Sequence, residues 1–145
     1  MPESQQRIVV GIDGSDHSRG ALRWALGQSR LTGALVDAVT AWRYPTTYGL
    51  ATIVPDIDLE AEATQMLSDA LAKIADEFPG ARVQQLVGEG PPAAVLLRAA
   101  ADADLLVVGS RGQGGFASAV LGSVSLACVL NAPCPVLVYR DPPAE

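Results

Sequence analysis

Short, nearly all-apolar runs alternate with segments of helical periodicity along the whole chain, and few architectures accept that pattern. Residues 7–13 (RIVVGID), 35–42 (LVDAVTAW), 83–87, 104–109 (DLLVVG) and 135–140 (PVLVYR) read as strands, apolar and rich in β-branched residues. After the first run, Ala21, Leu22, Ala25, Leu26 and Ser29 recur at helical spacing, with Ser15 or Asp16 as cap and Gly33 as stop. Leu59, Ala63, Met66, Leu67, Ala70, Leu71, Ile74 and Phe78 form one broad apolar face that ends at Pro79-Gly80. A third helix follows Pro91-Pro92, with Val95, Leu96 and Ala99 turned inward. A fourth covers about 122–130 and closes at Asn131-Ala132-Pro133.

Strands that alternate with helices join through right-handed crossovers and form a mostly parallel sheet with helices on both faces. Runs such as VVGI and LLVVG suit strands buried on both sides. The expectation is an α/β chain, residues 1–145 as one domain, with no internal repeat and no linker. Asp37 fits its strand poorly and is expected near the exposed start. Residues 43–55, with Tyr44, Pro45, Tyr48, Gly49 and Pro55, form a long connection for such a fold and suggest a lid or a partner surface.

Charge and thiol content narrow the function. The net charge is −6, and of the ten basic residues only Lys73 is a lysine. An acidic chain without a basic cluster argues against nucleic acid or an anionic membrane as partner. Lys73 falls mid-helix, which argues against a lysine that grips phosphate. Cys128 and Cys134, without a second pair or a nearby histidine, make neither a zinc site nor a disulfide framework, and read as small, buried or half-buried apolar residues. The start, MPESQQRIVVG, lacks the pattern of a signal peptide, and no apolar stretch is long enough to span a bilayer. A cytoplasmic setting follows as the expectation.

The chemistry concentrates after the fourth strand. Gly109-Ser110-Arg111-Gly112-Gln113-Gly114-Gly115-Phe116 follows that strand, and Gly122-Ser123-Val124-Ser125 opens the last helix. Glycines at a strand's end allow positive φ and close approach of backbone N–H groups to an anion. A helix N-terminus adds unpaired N–H groups and a favourable dipole end. Together they form a candidate cradle for a polyphosphate, with the Ser123 hydroxyl and Arg111 assisting; the alternative is a tight or flexible connection with no ligand. It is not a P-loop, since no Gly-Lys-Ser/Thr is present, nor a Rossmann fingerprint. Asp13, followed by Gly14-Ser15, ends the first strand. There it would bond a ribose hydroxyl or a base amino group, or else merely cap the first helix. Gly11 weakens its strand unless something must approach the backbone closely.

The chain resembles the universal stress protein family along nearly its whole length. The resemblance rests on VVGIDGS at 9–15, VVGSRG at 107–112, LGSVS at 121–125 and APCPVLV at 132–138. Gly109, Gly112, Gly122 and Ser123 match the family's ATP-binding pattern G-x2-G-x9-G-[S/T] without insertion or deletion. The resemblance implies a five-stranded sheet in the order 3-2-1-4-5, a nucleotide-binding α-hydrolase-like fold. It implies adenine between the ends of strands one and two, against Asp13 and the backbone of Val39, Thr40 and Ala41. The triphosphate would lie on Gly112, Gly122, Ser123 and Val124, with Mg2+ or Mn2+ on the phosphates. Gly11, Ser15, Gly109, Ser110, Arg111, Gly114, Gly115 and Ser125 complete the candidate nucleotide-binding set. Pairing of strand five across a two-fold axis, through Val136, Leu137, Val138 and Tyr139, would make a homodimer. No catalytic residue set is implied.

Other residues read more simply. His17 is expected as a solvated helix-start residue, although it would reach a phosphate or a neighbouring subunit. Asp56 and Asp58 read as caps, and Glu60, Glu62, Asp76 and Glu77 as a wet helix face. Trp24 and Trp42 read as core or interface residues, Trp42 lying near the adenine end of its strand. Four functions compete: an ATP-regulated module, a cyclic AMP binder, a slow ATPase drawing on Asp13, Asp16, His17 or Ser123, and a nucleotide-free interaction protein.

Overall fold

In the computed structural model, residues 5–44, 58–111 and 121–141 are described. The strands are β1 (Arg7–Gly11), β2 (Leu35–Trp42), β3 (Arg82–Glu89), β4 (Leu105–Gly109) and β5 (Val136–Tyr139). The helices are α1 (Asp16–Thr32), α2 (Leu59–Ala75), α3 (Pro92–Ala99) and α4 (Ser123–Asn131), with a 3-10 turn at Ala100–Asp102 after α3. The sheet order is β3-β2-β1-β4-β5, and every pairing is parallel. Strand order therefore reverses between β1 and β4, where open α/β sheets bind ligands beyond the strands' carboxyl ends.

Local chemistry sets the helix ends. The Ser15 side chain accepts from the Ser18 N–H and caps α1, while Gly33, at φ 80°, returns its N–H to the Ser29 carbonyl. Asp58 caps α2 through the Ala61 N–H at 3.0 Å, as its sequence position suggests; Asp56 lies outside the described residues. Asp16 does not cap α1 and pairs with Arg19 instead.

Helices cover both faces. On one, Ile8, Val10, Val36, Ala38 and Val107 meet Leu22 and Leu26 of α1 and Leu67, Leu71 and Ile74 of α2. On the other, Val9, Val39, Leu106 and Val108 meet Val95 and Leu96 of α3 and Cys128 of α4. Each fully buried leucine or isoleucine contributes about 1.5–3 kcal/mol of transfer free energy. Gly11 belongs to this packing. A Cβ there would sit 2.9 Å from Leu96 Cδ1, so the group that approaches closely is a leucine of α3.

Asp37 departs from its expected position. It is 0% exposed, in the middle of the β1–β2 and β2–β3 ladders, opposite Val9 and Gln84. Its Oδ1 accepts from the Gln84 amide, and its Oδ2 lies 3.5 Å from the Arg7 guanidinium. Oδ1 is thus hydrogen-bonded, whereas Oδ2 has no hydrogen-bond partner among the described residues and relies on the guanidinium charge beside it. β3, an edge strand as the order implies, leaves Gln84, Gln85 and Leu86 exposed.

Candidate functional site at the carboxyl ends of β1 and β4

Three features meet near the point where strand order reverses. Directly after β1 the chain turns through Ile12-Asp13-Gly14-Ser15 into α1. Asp13 Oδ1 accepts from both the N–H (2.9 Å) and the hydroxyl of Ser15, and the Asp13 N–H donates to Ser18 Oγ at 3.3 Å. Gly14, at φ 85°, makes the turn possible. Asp13 therefore orders the turn whose actual cap is Ser15. Val39 and Thr40 of β2 close the neighbouring side: the Val39 carbonyl accepts from Ile12 N–H at 2.8 Å, and Thr40 Oγ1 donates to the Ile12 carbonyl at 3.0 Å.

The third feature is the junction of β4 with α4. The Ser110 carbonyl accepts from Gly122 N–H at 2.7 Å and from Ser125 Oγ at 3.2 Å. This clamp ties the two ends of the Gly-rich segment together and sets the start of α4 against the end of β4. Ser110 is buried, and its N–H donates to the Tyr139 carbonyl at 2.8 Å. Ser125 is buried as well, so its hydroxyl serves the clamp. Gly122 is the N-cap of α4, and no side chain caps the helix. No acidic residue occupies its first turn. The amides of Ser123 and Val124 open a helix whose positive dipole end meets no local carboxylate, an arrangement suited to phosphate oxygens. Arg111, half-buried, follows Ser110 at the same end. Gly112, Gly114 and Gly115 lie outside the described residues.

Gly109 acts here through space rather than through an unusual dihedral. Neither Gly109 nor Gly122 adopts the positive φ expected of them. A Cβ on Gly109 would lie 2.9 Å from His17 Cβ and 3.0 Å from the His17 backbone carbon, so its absence lets the first turn of α1 pack against β4.

His17 itself is not a solvated helix-start residue. Its Nδ1 lies 3.2 Å from Asp141 Oδ2, just past β5, a contact that no local pattern signals. Trp24 packs against the α1–α2 core, as expected, whereas among the described residues Trp42 belongs to neither core cluster. Among the described residues no group of three or more His, Cys, Asp or Glu is arranged to hold a metal ion. Cys128 and Cys134 are free thiols, and burial pushes both up from the usual thiol range; for Cys134 the charge of Asp104 adds to the effect. Neither has the character of a reactive thiolate. No helix among the described residues is long and apolar enough to cross a membrane.

Comparison with known proteins agrees with this fold. The family description "Universal stress protein family" matches residues 5–140. The chain belongs to the universal stress protein family. Universal stress protein Rv2005c of Mycobacterium tuberculosis is 36% identical over 97% of this chain and 48% of its own length. The chain thus spans about half the length of the curated relatives it matches. Among solved structures, a universal stress protein in complex with cAMP aligns with TM-score 0.71 and 27% identity, covering 95% of this chain and 98% of that one. The universal stress protein from Archaeoglobus fulgidus in complex with dAMP aligns with TM-score 0.66 and 29% identity, covering 92% and 97%.

Proposed function

We propose that this universal stress protein domain, residues 1–145, binds an adenine nucleotide, ATP with Mg2+ or Mn2+ on its phosphates, and acts as a cytoplasmic regulatory module. The reading is carried by one observation: the Ser110 carbonyl holds Gly122 and Ser125, which sets the side-chain-uncapped start of α4 at the carboxyl end of the sheet. The amides of Ser123 and Val124 would receive the phosphate oxygens, the Ser123 hydroxyl and Arg111 would assist, and Gly112, Gly114 and Gly115 would complete the cradle. Asp13 would meet the base or the ribose beside Val39 and Thr40. Two relatives of known structure, one with cAMP and one with dAMP, support an adenine ligand. The nucleotide state would act on partners through the shape of the Gly-rich segment or through a homodimer made by β5.

Cyclic AMP is the second reading, favoured by the cAMP-bound relative. A cyclic monophosphate uses less of the long phosphate segment, whereas the intact Gly109, Gly112, Gly122, Ser123 spacing favours a triphosphate. Mass spectrometry of small molecules released by denaturing the freshly purified protein separates the two. ATP or ADP near one per chain supports the first reading, and cyclic AMP the second. If nothing is released and titration with ATP and magnesium gives no heat, the nucleotide reading is wrong.

A further inference from the structure

β1 ends at Gly11, opposite Val39, but β2 and β3 remain paired three residues further, to Trp42 opposite Glu89. Thr40, Ala41 and Trp42 therefore form a ledge that overhangs the carboxyl end of β1, beside Asp13. The Trp42 carbonyl accepts from Gly90 N–H at 2.8 Å, which holds the end of the ledge in the sheet's hydrogen-bond network. On it the rings of Trp42 and Tyr44 meet edge to face, with centroids 5.6 Å apart and planes at 89°. Among the described residues neither ring joins a core cluster; Trp42 is half-buried, and Tyr44 is 44% exposed. Aromatic rings outside the core, on a strand end held by sheet pairing, offer flat apolar surface that a ligand can cover. A perpendicular pair also leaves flat ring faces that its partner does not cover, unlike a parallel stack.

From this ledge we infer that Trp42, braced by Tyr44, is the residue that selects the base, stacking on a purine and discriminating against the smaller pyrimidines. The inference rests on the nucleotide reading above and adds to it the determinant of base preference. The chemistry is that of an aromatic platform: stacking strength grows with the area of the base, while the phosphates are held elsewhere, on α4.

Trp24→Phe leaves Trp42 as the sole tryptophan, and Trp24 packs against the α1–α2 core, to which, among the described residues, Trp42 does not belong. In that background ATP should quench the Trp42 emission saturably, with the same midpoint that calorimetry reports for binding. Trp42→Leu should weaken ATP about tenfold and CTP less than about twofold, collapsing the preference between the two bases, while Trp42→Phe restores most of it. Calorimetric binding of ATP without any change in Trp42 emission would overturn the inference. So would a Trp42→Leu protein that keeps its affinity for ATP. The emission readout needs no change at position 42, so a misfolded Trp42→Leu protein leaves the test intact. If the unmodified protein binds neither ATP nor CTP by calorimetry, the nucleotide reading falls and the inference with it, an outcome distinct from the other two.

Discussion

Gly109 and Gly122 look alike in the sequence pattern but have different tasks in the fold, and substitution separates them. At Gly109 a methyl group would press on the Cβ and backbone carbon of His17, and a helix backbone cannot rotate aside. Gly109→Ala should cost about 1–3 kcal/mol in urea unfolding, the usual range for an overpacked interior. Gly122, at φ −71° and ψ 166°, has dihedrals that any residue adopts, and its N–H bond to Ser110 survives substitution. Gly122→Glu puts a carboxylate at the positive end of α4, which favours the helix and repels phosphate. Its unfolding midpoint should hold or rise while its ATP affinity, measured by calorimetry, falls more than about tenfold. Unchanged affinity would remove α4 from the phosphate site. Asp37 makes the same point about isolated residues: its poor fit to the strand pattern was visible, but the Arg7 and Gln84 side chains that make it tolerable belong to other strands.

Among the elements, β5 lies at an edge of the sheet, the edge that the proposed homodimer would use. The carbonyls of Pro135 and Tyr139 accept from Leu106 and Ser110 of the β4 side at 3.0 and 2.8 Å. Backbone groups alternate along a parallel strand, so those of Val136 and Val138 point to the open edge. A homodimer built by pairing β5 would use those groups. Val138→Pro removes one edge-facing N–H, and proline is tolerated on an edge where the N–H faces outward. Light scattering after size exclusion should then report a dimer for the unmodified chain and a monomer for Val138→Pro, with circular dichroism unchanged. A dimer that survives the proline does not use this edge. The elements themselves were largely legible beforehand. α1, α2 and β2 announced themselves through caps, periodicity and β-branched runs, while β3, expected over 83–87, runs from Arg82 to Glu89 because pairing with β2 extends it at both ends.

On the scale of the molecule, burial of thiols on the α3–α4 side of the sheet gives stability an alkaline limit. Burial holds Cys128 above its ordinary value of 9.0, and burial with the Asp104 charge does the same for Cys134. Once pH passes about 9, the unfolded chain releases thiol protons that the folded chain keeps, so unfolding is favoured as pH rises. Urea midpoints should fall between about pH 8 and pH 10, and Cys128→Ala should flatten that fall whatever it costs at neutral pH. A slope identical in the variant would assign the loss to other groups.

Helix caps, the 3.6-residue apolar faces, the short β-branched runs and the glycine–serine spacing after β4 are properties of neighbours in sequence. They therefore specified the α/β class, nearly every element, the family resemblance and the residues around which the site is built. The tertiary structure decided the contacts between residues far apart: Leu96 over Gly11, His17 against Gly109 and Asp141, and the Ser110 carbonyl shared by Gly122 and Ser125. It also decided that Trp42 stands on an overhanging strand end rather than in the core. The physical reason is the same in each case. Local energetics choose a conformation for a few residues at a time, whereas close approach, shared acceptors and exposure depend on which distant segments packing brings together.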